Sequence, residues 1–352
     1  MKDIFALKDF NLFDRKKSPI IISSRVRLAR NFKSTPFSSS ASVEVLDKVL
    51  SESQSALKST TQLKKNDFLR MDNLSDSEKL MLLENRLISN ELFENTNSKG
   101  ALVLSKDCKL CVMINEEDHL RLQAIEKGFA LEDAWASIDA LDTAVSKKIN
   151  YAFDKSYGFL TACPSNAGTG MRASVMMHLP ALAIAELMEK IVKGLNQLGV
   201  TVRGANGEGS DFLCSMFQIS NQQTLGLSEQ DIIEKISKLV KKVEKFELDA
   251  RRKMLKENPK PLHDKIARAW GLLNFCEIIN SREALNCLSM LRMGVNLGFI
   301  KDNSVINALI NNVQPAHLLE ATACELSEPS ERDILRAKYI KSQLSKVKPP
   351  SF

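Results

Sequence analysis

Six arginines of this sequence lie beside predicted strand ends or glycine-rich turns, where their side chains could bind an anion, and three of them are Arg25, Arg27 and Arg30 in one segment. Arg25 and Arg27 follow an apolar run at 20–22 in the segment SSRVRLARN. At the end of a strand, their two-residue spacing directs both guanidinium groups to one side, where they can bind phosphate oxygens through paired, charge-assisted hydrogen bonds. The alternative is a solvated edge strand whose charges prevent aggregation. The other three arginines, in NEEDHLRLQ, CPSNAGTGMR and VRGANGEGS, are Arg121, Arg172 and Arg203.

Acidic residues are concentrated in NEEDH at 115–119, between the predicted strand Leu110–Ile114 and a predicted helix. Acids are favoured at a helix N-terminus by the helix dipole, so capping is one explanation for them. A single acid would satisfy that role, whereas this segment has Glu116, Glu117 and Asp118. The surplus indicates that at least one carboxylate holds a cation, such as a guanidinium, and accepts its proton.

Cys163 follows a predicted strand at 158–162 and begins the tight loop PSNAGTG, which exposes backbone amides. Amides and a nearby cation such as Arg172 favour the thiolate form of a cysteine, and a thiolate could orient a positively charged substrate. The alternative is a buried, inert cysteine.

The glycine-rich segment at 204–210, with Glu208 and Asp211, is a candidate lid in which an acidic residue binds the substrate cation while water is excluded.

Other phosphate-binding and metal-binding signatures are missing from the sequence. It contains no G-x-x-x-x-G-K-[ST] motif and no glycine-rich fingerprint with its expected partners, which argues against P-loop and protein-kinase-type phosphate binding. Cys108 and Cys111 have C-x-x-C spacing, but no second Cys or His pair completes a zinc site, and both lie in a predicted hairpin. We therefore assign no metal ligand to the chain.

The composition is that of a globular protein with one large and one smaller domain. The chain has 352 residues, of which 44% are hydrophobic and 26% charged, with a net charge of +6 and seven cysteines. An odd cysteine count in a chain of this size fits reduced thiols. The N-terminal segment mixes acids with bases, unlike a signal peptide, and no apolar run reaches membrane-spanning length. We expect a cytoplasmic protein without membrane or direct nucleic-acid partners.

Strand and helix patterns divide the chain into two parts. Short apolar runs at 20–22, Ala101–Leu104, Leu110–Ile114, 158–162 and 212–219 predict strands, and apolar spacing at 180–199 predicts one amphipathic helix. From Ser228 onward the pattern is helical, and the KENPKP segment at 256–261 interrupts it. Further helices are predicted at 262–280, 282–293, 304–311 and 331–345, the second with Ser281 as its N-cap, followed by a frayed tail. We predict an α+β domain at 1–255, built on an antiparallel sheet with flanking helices, and an all-α domain at 256–352.

The segments SSRVRLARN, NEEDHLRLQ, CPSNAGTGMR, VRGANGEGS and ISNQQTLG occur in the order seen in the phosphagen kinases (ATP:guanidino phosphotransferases) and span about 18–230. The chain resembles that family, and most closely its bacterial protein-arginine kinase branch, the McsB type. The resemblance implies that Glu117 positions and deprotonates a guanidinium and that Cys163 aligns it as a thiolate. It also implies that five arginines bind the phosphates of ATP with Mg²⁺, namely Arg25, Arg27, Arg121, Arg172 and Arg203. Phosphoryl transfer depends mainly on in-line positioning and charge neutralisation, which such an arginine cluster supplies.

Three departures separate the sequence from kinases of small guanidino compounds. Only 22 residues precede SSRVR, where those kinases carry a helical domain of about a hundred residues that helps to enclose the substrate, so a more open site for a protein arginine is expected. Met176 and Thr224 replace a histidine and an arginine found in many small-guanidino members. The C-terminal third resembles the extra domain of the protein-arginine kinases, where Arg282 or Arg292 could contact phosphoarginine, or could lie on a solvated helix face.

The resemblance favours a kinase of protein arginines. It implies a homodimer, a zinc-containing activator of the McsA type, and a Clp ATPase and protease that degrades the marked proteins. Two alternatives share the same motifs. One is a kinase of a small guanidino compound such as free arginine, and the other is an inactive phosphoarginine-binding adaptor, which the departures at Met176 and Thr224 leave open.

Overall fold

The computed structural model describes residues 12, 18–63, 68–95, 99–204, 213–301, 304–324 and 328–352. Its strands are β1 (Ile21–Arg30), β2 (Phe68–Arg70), β3 (Ala101–Leu104), β4 (Leu110–Ile114), β5 (Leu120–Lys127), β6 (Phe153–Asp154), β7 (Gly158–Phe159), β8 (Met171–His178), β9 (Val200–Gly204) and β10 (Met216–Asn221). Eight of them form one sheet in the order β2-β3-β4-β5-β1-β8-β10-β9, and β6 pairs with β7. Each pairing between two of these strands is antiparallel.

Helices flank the sheet and fill the C-terminal third. They are α1 (Val43–Lys58), α2 (Asp76–Glu84), α3 (Asn90–Glu94), α4 (Leu131–Ser146), α5 (Pro180–Ile184), α6 (Met188–Gln197), α7 (Glu229–Glu257), α8 (Lys260–Phe275), α9 (Ser281–Leu297), α10 (Ser304–Asn312), α11 (Pro315–Thr322) and α12 (Pro329–Leu344). The expected α+β architecture, an antiparallel sheet with flanking helices followed by a helical region, is confirmed. None of these helices within the described ranges is long and apolar enough to cross a membrane.

The two faces of the sheet are covered differently because successive side chains of a strand point to opposite faces. One face carries the large core, in which Val26 and Leu28 of β1 pack with α1, α4 and α7. The other face carries two smaller apolar clusters. One joins α2, α3 and Ala316 of α11 to β3 and β4. The other joins α8, α9, α10 and α12 to β8 and β10 and includes Met176. Polar residues of β1 and its neighbours therefore share this second face with both clusters.

Several predicted elements are confirmed. Strands β3 and β4 occupy the predicted runs and form the predicted hairpin, with Leu104 opposite Cys111. Helix α7 begins after Ser228, whose hydroxyl accepts from the Asp231 N–H while the Asp231 carboxylate accepts from Ser228 N–H, which forms a capping box. The helical character predicted from Ser228 onward follows from this strong start signal.

Two predicted helices are wrong. The residues after NEEDH form β5 and not a helix, so the acidic segment is a loop between two antiparallel strands. The single helix predicted at 180–199 is two helices, because Glu186 has a φ of 58° and interrupts the backbone between α5 and α6. The predicted strand at 158–162 is limited to β7.

The C-terminal third differs from its prediction in its details. Asn280, not Ser281, caps α9, and its side chain accepts from the Glu283 N–H at 2.9 Å. Helix α11 was not predicted. The tail is not frayed, because Val347 is buried and the terminal Phe352 ring stacks on His263 with 4.4 Å between ring centroids.

Candidate active site

Strand register brings the five predicted arginines to one face of the sheet. Arg27 pairs with Arg172 of β8, and Ala29, two residues after Arg27, pairs with Arg121 of β5. Arg203 of β9 pairs with Gln218 of β10, and Gln218 pairs in turn with Met176 of β8, four residues after Arg172. Residues paired across strands point to the same face. The side chains of Arg25, Arg27, Arg121, Arg172 and Arg203 therefore all project from the face that carries the two smaller clusters.

The central position of β1 decides between the two interpretations of Arg25 and Arg27. Strand β1 lies between β5 and β8, in the middle of the sheet, so the edge-strand alternative is wrong. Both arginines are partly buried in a row of like charges. Burial, and then the charges of Arg86, Arg121 and Arg172, lower the pKa of Arg25 to about 9. Such a cluster is stabilised by a polyanion that neutralises it.

Hydrogen bonds orient some of these guanidinium groups and leave donors for a ligand. Arg25 Nη2 donates to Gln218 Oε1 at 2.7 Å, and Arg172 Nη2 donates to Ser220 Oγ at 3.0 Å. The Nε of Arg27 is buried and has no hydrogen-bond partner in the described part of the chain. Burial, and then the charges of the neighbouring arginines, depress the pKa of Arg27 well below its usual value. A buried cationic donor without an acceptor is suited to bind an anion.

Arg30, three residues after Arg27, has a structural role. It forms a paired ion contact with Asp142, with Nη2 to Oδ2 at 2.7 Å, and its guanidinium lies 3.6 Å from the centre of the Phe159 ring. It also donates to the Thr169 carbonyl at 3.0 Å. Arg30 therefore anchors the start of β8 from the opposite face of the sheet and does not belong to the arginine cluster.

The acidic loop between β4 and β5 contains carboxylates with different surroundings. Glu116 is buried and forms an ion pair with Arg121, and it accepts a hydrogen bond from Ser89. Burial opposes its ionisation, but Arg121 and Ser89 outweigh burial and lower the pKa of Glu116. Glu117 is half-buried, and burial followed by the charges of Asp118 and Glu116 raises its pKa. Glu117 is thus a more basic carboxylate than an exposed one, as a proton acceptor requires.

Asp118 connects the loop of Glu117 to the loop of Cys163. Its Oδ1 accepts from Asn31 Nδ2 at 2.6 Å and from the Ala162 N–H at 2.7 Å. Because Glu117 precedes Asp118 and Cys163 follows Ala162, this carboxylate holds the two predicted catalytic residues on neighbouring segments. Cys163 is partly exposed, with its Sγ 3.0 Å from Ser165 Oγ, so the buried-cysteine alternative is wrong.

Two sequence departures have structural explanations. Thr224 donates to the Ser165 and Ala167 carbonyls at 2.9 and 2.6 Å, and thereby fastens the loop that follows Cys163 to the end of β10. Met176 is buried in the apolar cluster with the C-terminal helices. Glu208 and Asp211, the predicted lid residues, lie outside the described residues.

The structure connects two further residues to the candidate site: Arg86, which the sequence did not single out, and Asp118, which was named only as one of three acids. Arg86 follows α2 with a φ of 60°, and its charge acts on Arg25. Burial lowers its pKa to about 10. Its segment, ENRLIS, has no strand or glycine signal, and only the folded chain brings it to the arginine cluster.

Arg292 is one of the two C-terminal arginines that could contact phosphoarginine. It is buried and contacts Asn307, so the interpretation that it lies on a solvated helix face is wrong. Arg282 is exposed, as that alternative predicted.

Comparisons with known proteins agree with this geometry. A family model described as "ATP:guanido phosphotransferase, C-terminal catalytic domain" matches residues 48–250, and one described as "Protein-arginine kinase McsB C-terminal domain" matches residues 259–352. The chain is 43% identical to a protein-arginine kinase of Clostridium acetobutylicum over 344 residues, which cover 96% of this chain and 100% of that protein. It is 42% identical to a protein-arginine kinase of Geobacillus thermodenitrificans, covering 93% of this chain and 91% of that protein.

Solved structures show the same fold at lower identity. A lombricine kinase superposes with a TM-score of 0.60 at 22% identity, covering 69% of each chain. A duplicated taurocyamine kinase from Schistosoma mansoni superposes with a TM-score of 0.61 at 23% identity, covering 76% of this chain and 41% of that protein. The chain therefore belongs to the ATP:guanido phosphotransferase family and, within it, to the protein-arginine kinases.

Proposed function

We propose that this protein transfers the γ-phosphoryl group of ATP to arginine side chains of proteins. The observation that carries the proposal is the placement of the arginine cluster, which converges on one sheet face beside the loops of Glu117 and Cys163. Membership of the family implies ATP as the phosphoryl donor. Assigning these roles to individual residues is part of the proposal.

The acceptor side of the reaction is proposed to be formed by two loops. Glu117, whose pKa is raised by burial and by neighbouring acids, holds the guanidinium of the substrate and removes one proton from its terminal nitrogen. That nitrogen then forms a bond to the γ-phosphorus while the bond from phosphorus to the bridging oxygen breaks and ADP leaves. Cys163 would align the guanidinium, and Glu208 and Asp211 would bind it from the lid. Correct placement of both reactants supplies most of the rate.

The donor side is proposed to be the arginine cluster. Arg25, Arg27, Arg121, Arg172 and Arg203 would bind the phosphates of ATP, with charge-assisted hydrogen bonds that strengthen as charge develops on the transferred group. Glu116 holds Arg121 in place through their ion pair. Burial, and then repulsion by the neighbouring arginines, lower the pKa of Arg25, and a bound triphosphate would relieve that repulsion.

Mg²⁺ fits this site as a companion of the nucleotide. No group of three or more His, Cys, Asp or Glu side chains within the described ranges could hold a metal ion. Mg²⁺ commonly keeps several waters and binds through substrate phosphates with few protein ligands, which fits a site rich in arginine. When bound, it would neutralise phosphate charge, and we assign it no ligand from this chain.

A protein acceptor is favoured over a small guanidino compound by the C-terminal helical region. Residues 259–352 match the C-terminal domain of protein-arginine kinases, and the relatives that carry that name align over nearly their whole length. We propose the division at 1–255 and 256–352 as catalytic and protein-docking domains. The adaptor alternative loses its motivation, because Thr224 and Met176 have structural roles that are compatible with an active site.

The proposal is tested by incubating the protein with Mg-ATP and either free arginine or an unfolded protein. Phosphoarginine is identified by mass spectrometry without acid treatment, because the product is acid-labile. We expect phosphoarginine on the unfolded protein with the wild type and none with Glu117→Gln. Label on free arginine alone would establish the small-guanidino kinase, and persistence of cellular phosphoarginine in Glu117→Gln and Cys163→Ala strains with intact partner binding would establish the adaptor.

The finer partner assignments are extensions of the same proposal. We propose a cytoplasmic homodimer that is stimulated by a zinc-containing activator and whose products are degraded by a Clp ATPase and protease. The support is the resemblance of the whole chain to protein-arginine kinases. Light scattering of the purified protein tests the dimer, and co-purification tests the activator.

A further inference from the structure

Glu84 forms an unusual contact between the sheet region and the C-terminal helices. It is the last residue of α2, and its carboxylate accepts from the Ala316 N–H at 2.9 Å and from the His317 N–H at 3.1 Å. It also contacts Nδ1 of the His317 ring, whose side chain is buried. These amides belong to the first turn of α11, where backbone donors lack helical partners and a negative charge is favoured. Glu84 thus caps a helix more than 230 residues later in the chain.

The residues directly after Glu84 contact the candidate active site. Arg86, two residues later, accepts a hydrogen bond at its backbone carbonyl from Gln123 Nε2 at 2.9 Å, and Gln123 pairs with Arg27 of the arginine cluster. The charge of Arg86 also acts on Arg25. Ser89, five residues later, donates to Glu116, the partner of Arg121. Between them, Leu87 packs with Ala316 of α11 in one apolar cluster. A shift of Glu84 would therefore move side chains on both sides of the arginine cluster.

The C-terminal helices also hold a residue close to Arg86. Cys214, a buried thiol, lies near the Arg86 side chain. Cys214 and the next residue, Ser215, have φ values of 60° and 50°, which are uncommon for residues other than glycine. This conformation is held by Asn286 of α9, whose Oδ1 accepts from the Cys214 N–H at 2.9 Å. Helices α9 and α11 therefore support the surroundings of Arg86 from two sides.

We propose that Glu84 is a positioning residue through which α11 fixes the location of Arg86, so that nucleotide affinity depends on the C-terminal helices. The proposal rests on the proposed function only in that the arginine cluster binds ATP. It predicts that substitutions at Glu84 and Arg86 are coupled in their effect on ATP affinity. Glu84 would not contact the nucleotide and would act on it only through Arg86. Because contacting residues in one network couple while independent ones add, this route can be measured.

The experiment is a double-mutant cycle on ATP binding, measured by titration calorimetry with the full-length protein. Glu84→Gln removes the charge and one good acceptor while keeping the side-chain shape. We expect Glu84→Gln to weaken ATP binding about tenfold, within the range of measured coupling energies. The double variant with Arg86→Ala is expected to bind ATP no more weakly than Arg86→Ala alone. Asp76→Asn, an acid-to-amide change at a residue of α2 whose side chain is 99% exposed, is the matched control and should leave ATP binding unchanged.

The outcomes are distinguishable. Unchanged ATP affinity in Glu84→Gln, or losses that add in the double variant, would overturn the proposal, because Glu84 would then act elsewhere or not at all. If Glu84→Gln does not fold, His317→Asn replaces it in the same cycle, with the same expected coupling to Arg86. Binding of ATP is measured without an acceptor, so failure to phosphorylate protein arginine would count against the proposed function and not against this coupling.

Discussion

Asp118 offers a direct test of how the loops of Glu117 and Cys163, which we propose to be catalytic, are held together. Replacing it with alanine removes the acceptor of the Ala162 N–H and one acceptor of the Asn31 amide, which also donates to the Leu160 carbonyl at 3.0 Å. An unsatisfied buried donor costs about 1–3 kcal/mol. The Ala162 N–H loses its acceptor and carries this full cost, whereas Asn31 keeps one acceptor and carries a smaller cost. Burial of the Asp118 carboxylate, which raises its pKa, is itself unfavourable, so removing this carboxylate offsets part of the loss. We expect Asp118→Ala to lose about 2 kcal/mol of unfolding free energy.

The expected loss of activity is larger than the loss of stability. A misplacement of about 1 Å between reacting groups can reduce the rate about 100-fold, and Asp118 joins the segments of Glu117 and Cys163. Urea unfolding gives the stability, and transfer of labelled phosphate to an unfolded protein gives kcat at temperatures where the variant is folded. A folded Asp118→Ala variant with kcat within about threefold of the wild type would refute the argument that this hydrogen bond aligns the site.

Asp118→Asn separates the charge of this residue from its geometry. The amide oxygen can still accept from Ala162, so the loops should stay joined. Burial is the main cause of the raised pKa of Glu117, and the negative charge of Asp118 is the next. Removing that charge lowers the pKa of Glu117, so the base stays deprotonated to lower pH. The acidic limb of the kcat/KM profile should therefore move to lower pH; an unchanged limb, or a shift to higher pH, would contradict the assignment of Glu117 as the base.

Three further predictions concern catalysis, packing and acid stability. Glu117→Gln should reduce phosphoryl transfer about 100- to 10,000-fold while the ATP dissociation constant measured by calorimetry stays unchanged. Gly170→Ala should lower the unfolding free energy by more than about 1 kcal/mol, because φ is +63° and a Cβ would lie 2.6 Å from the Arg30 guanidinium and 2.7 Å from the Ala29 carbonyl oxygen. The control, Gly271→Ala inside α8, meets nothing within 4 Å and should raise stability by about 0.5–1 kcal/mol in the same thermal melts. Burial, and then two nearby arginines, depress the pKa of His178 well below its usual value. Because the unfolded chain therefore binds this proton more tightly than the folded one, the free energy of unfolding should fall as pH drops below about 6.5. It should fall less steeply in His178→Gln.

Local patterns in the sequence were sufficient for the elements whose signals lie within a few residues. The β3–β4 hairpin has two short apolar runs around a polar turn, and α7 has a capping box at its start. Strand β5 was missed because the apolar residues of LRLQAIEK fit both the two-residue period of a strand and the spacing of a helix. Leu120, Leu122 and Ala124 alternate and are buried on one face, whereas Ile125 also fits a helical spacing from Leu122. The choice between the two periods depended on the neighbouring strands β1 and β4, which are known only from the fold.

The membership of the site was more accessible than its assembly. Residue types and motif order made the five arginines, Glu117 and Cys163 candidates, and the strand register shows that the arginines share one face of the sheet. That register joins Arg27 to Arg172, which lies 145 positions later, and no local period encodes such a pairing. Arg86 was missed for the same reason, and so was the link that Asp118 forms between two loops. Their importance comes from what they contact across the fold and not from their sequence neighbours.

The location of the arginine cluster on paired strands has a consequence for how such a sequence can change. Many phosphate sites use a flexible glycine-rich loop, where the insertion of one residue alters only local backbone geometry. In β1, one inserted residue before Arg25 would be tolerated only as a bulge outside the paired segment. If it shifted the pairing instead, Arg25 and Arg27 would point into the apolar core, and Val26 and Leu28 would face the proposed nucleotide site. Insertions and deletions should therefore accumulate in the connecting loops of related chains, while these strands vary in side chains but keep their length.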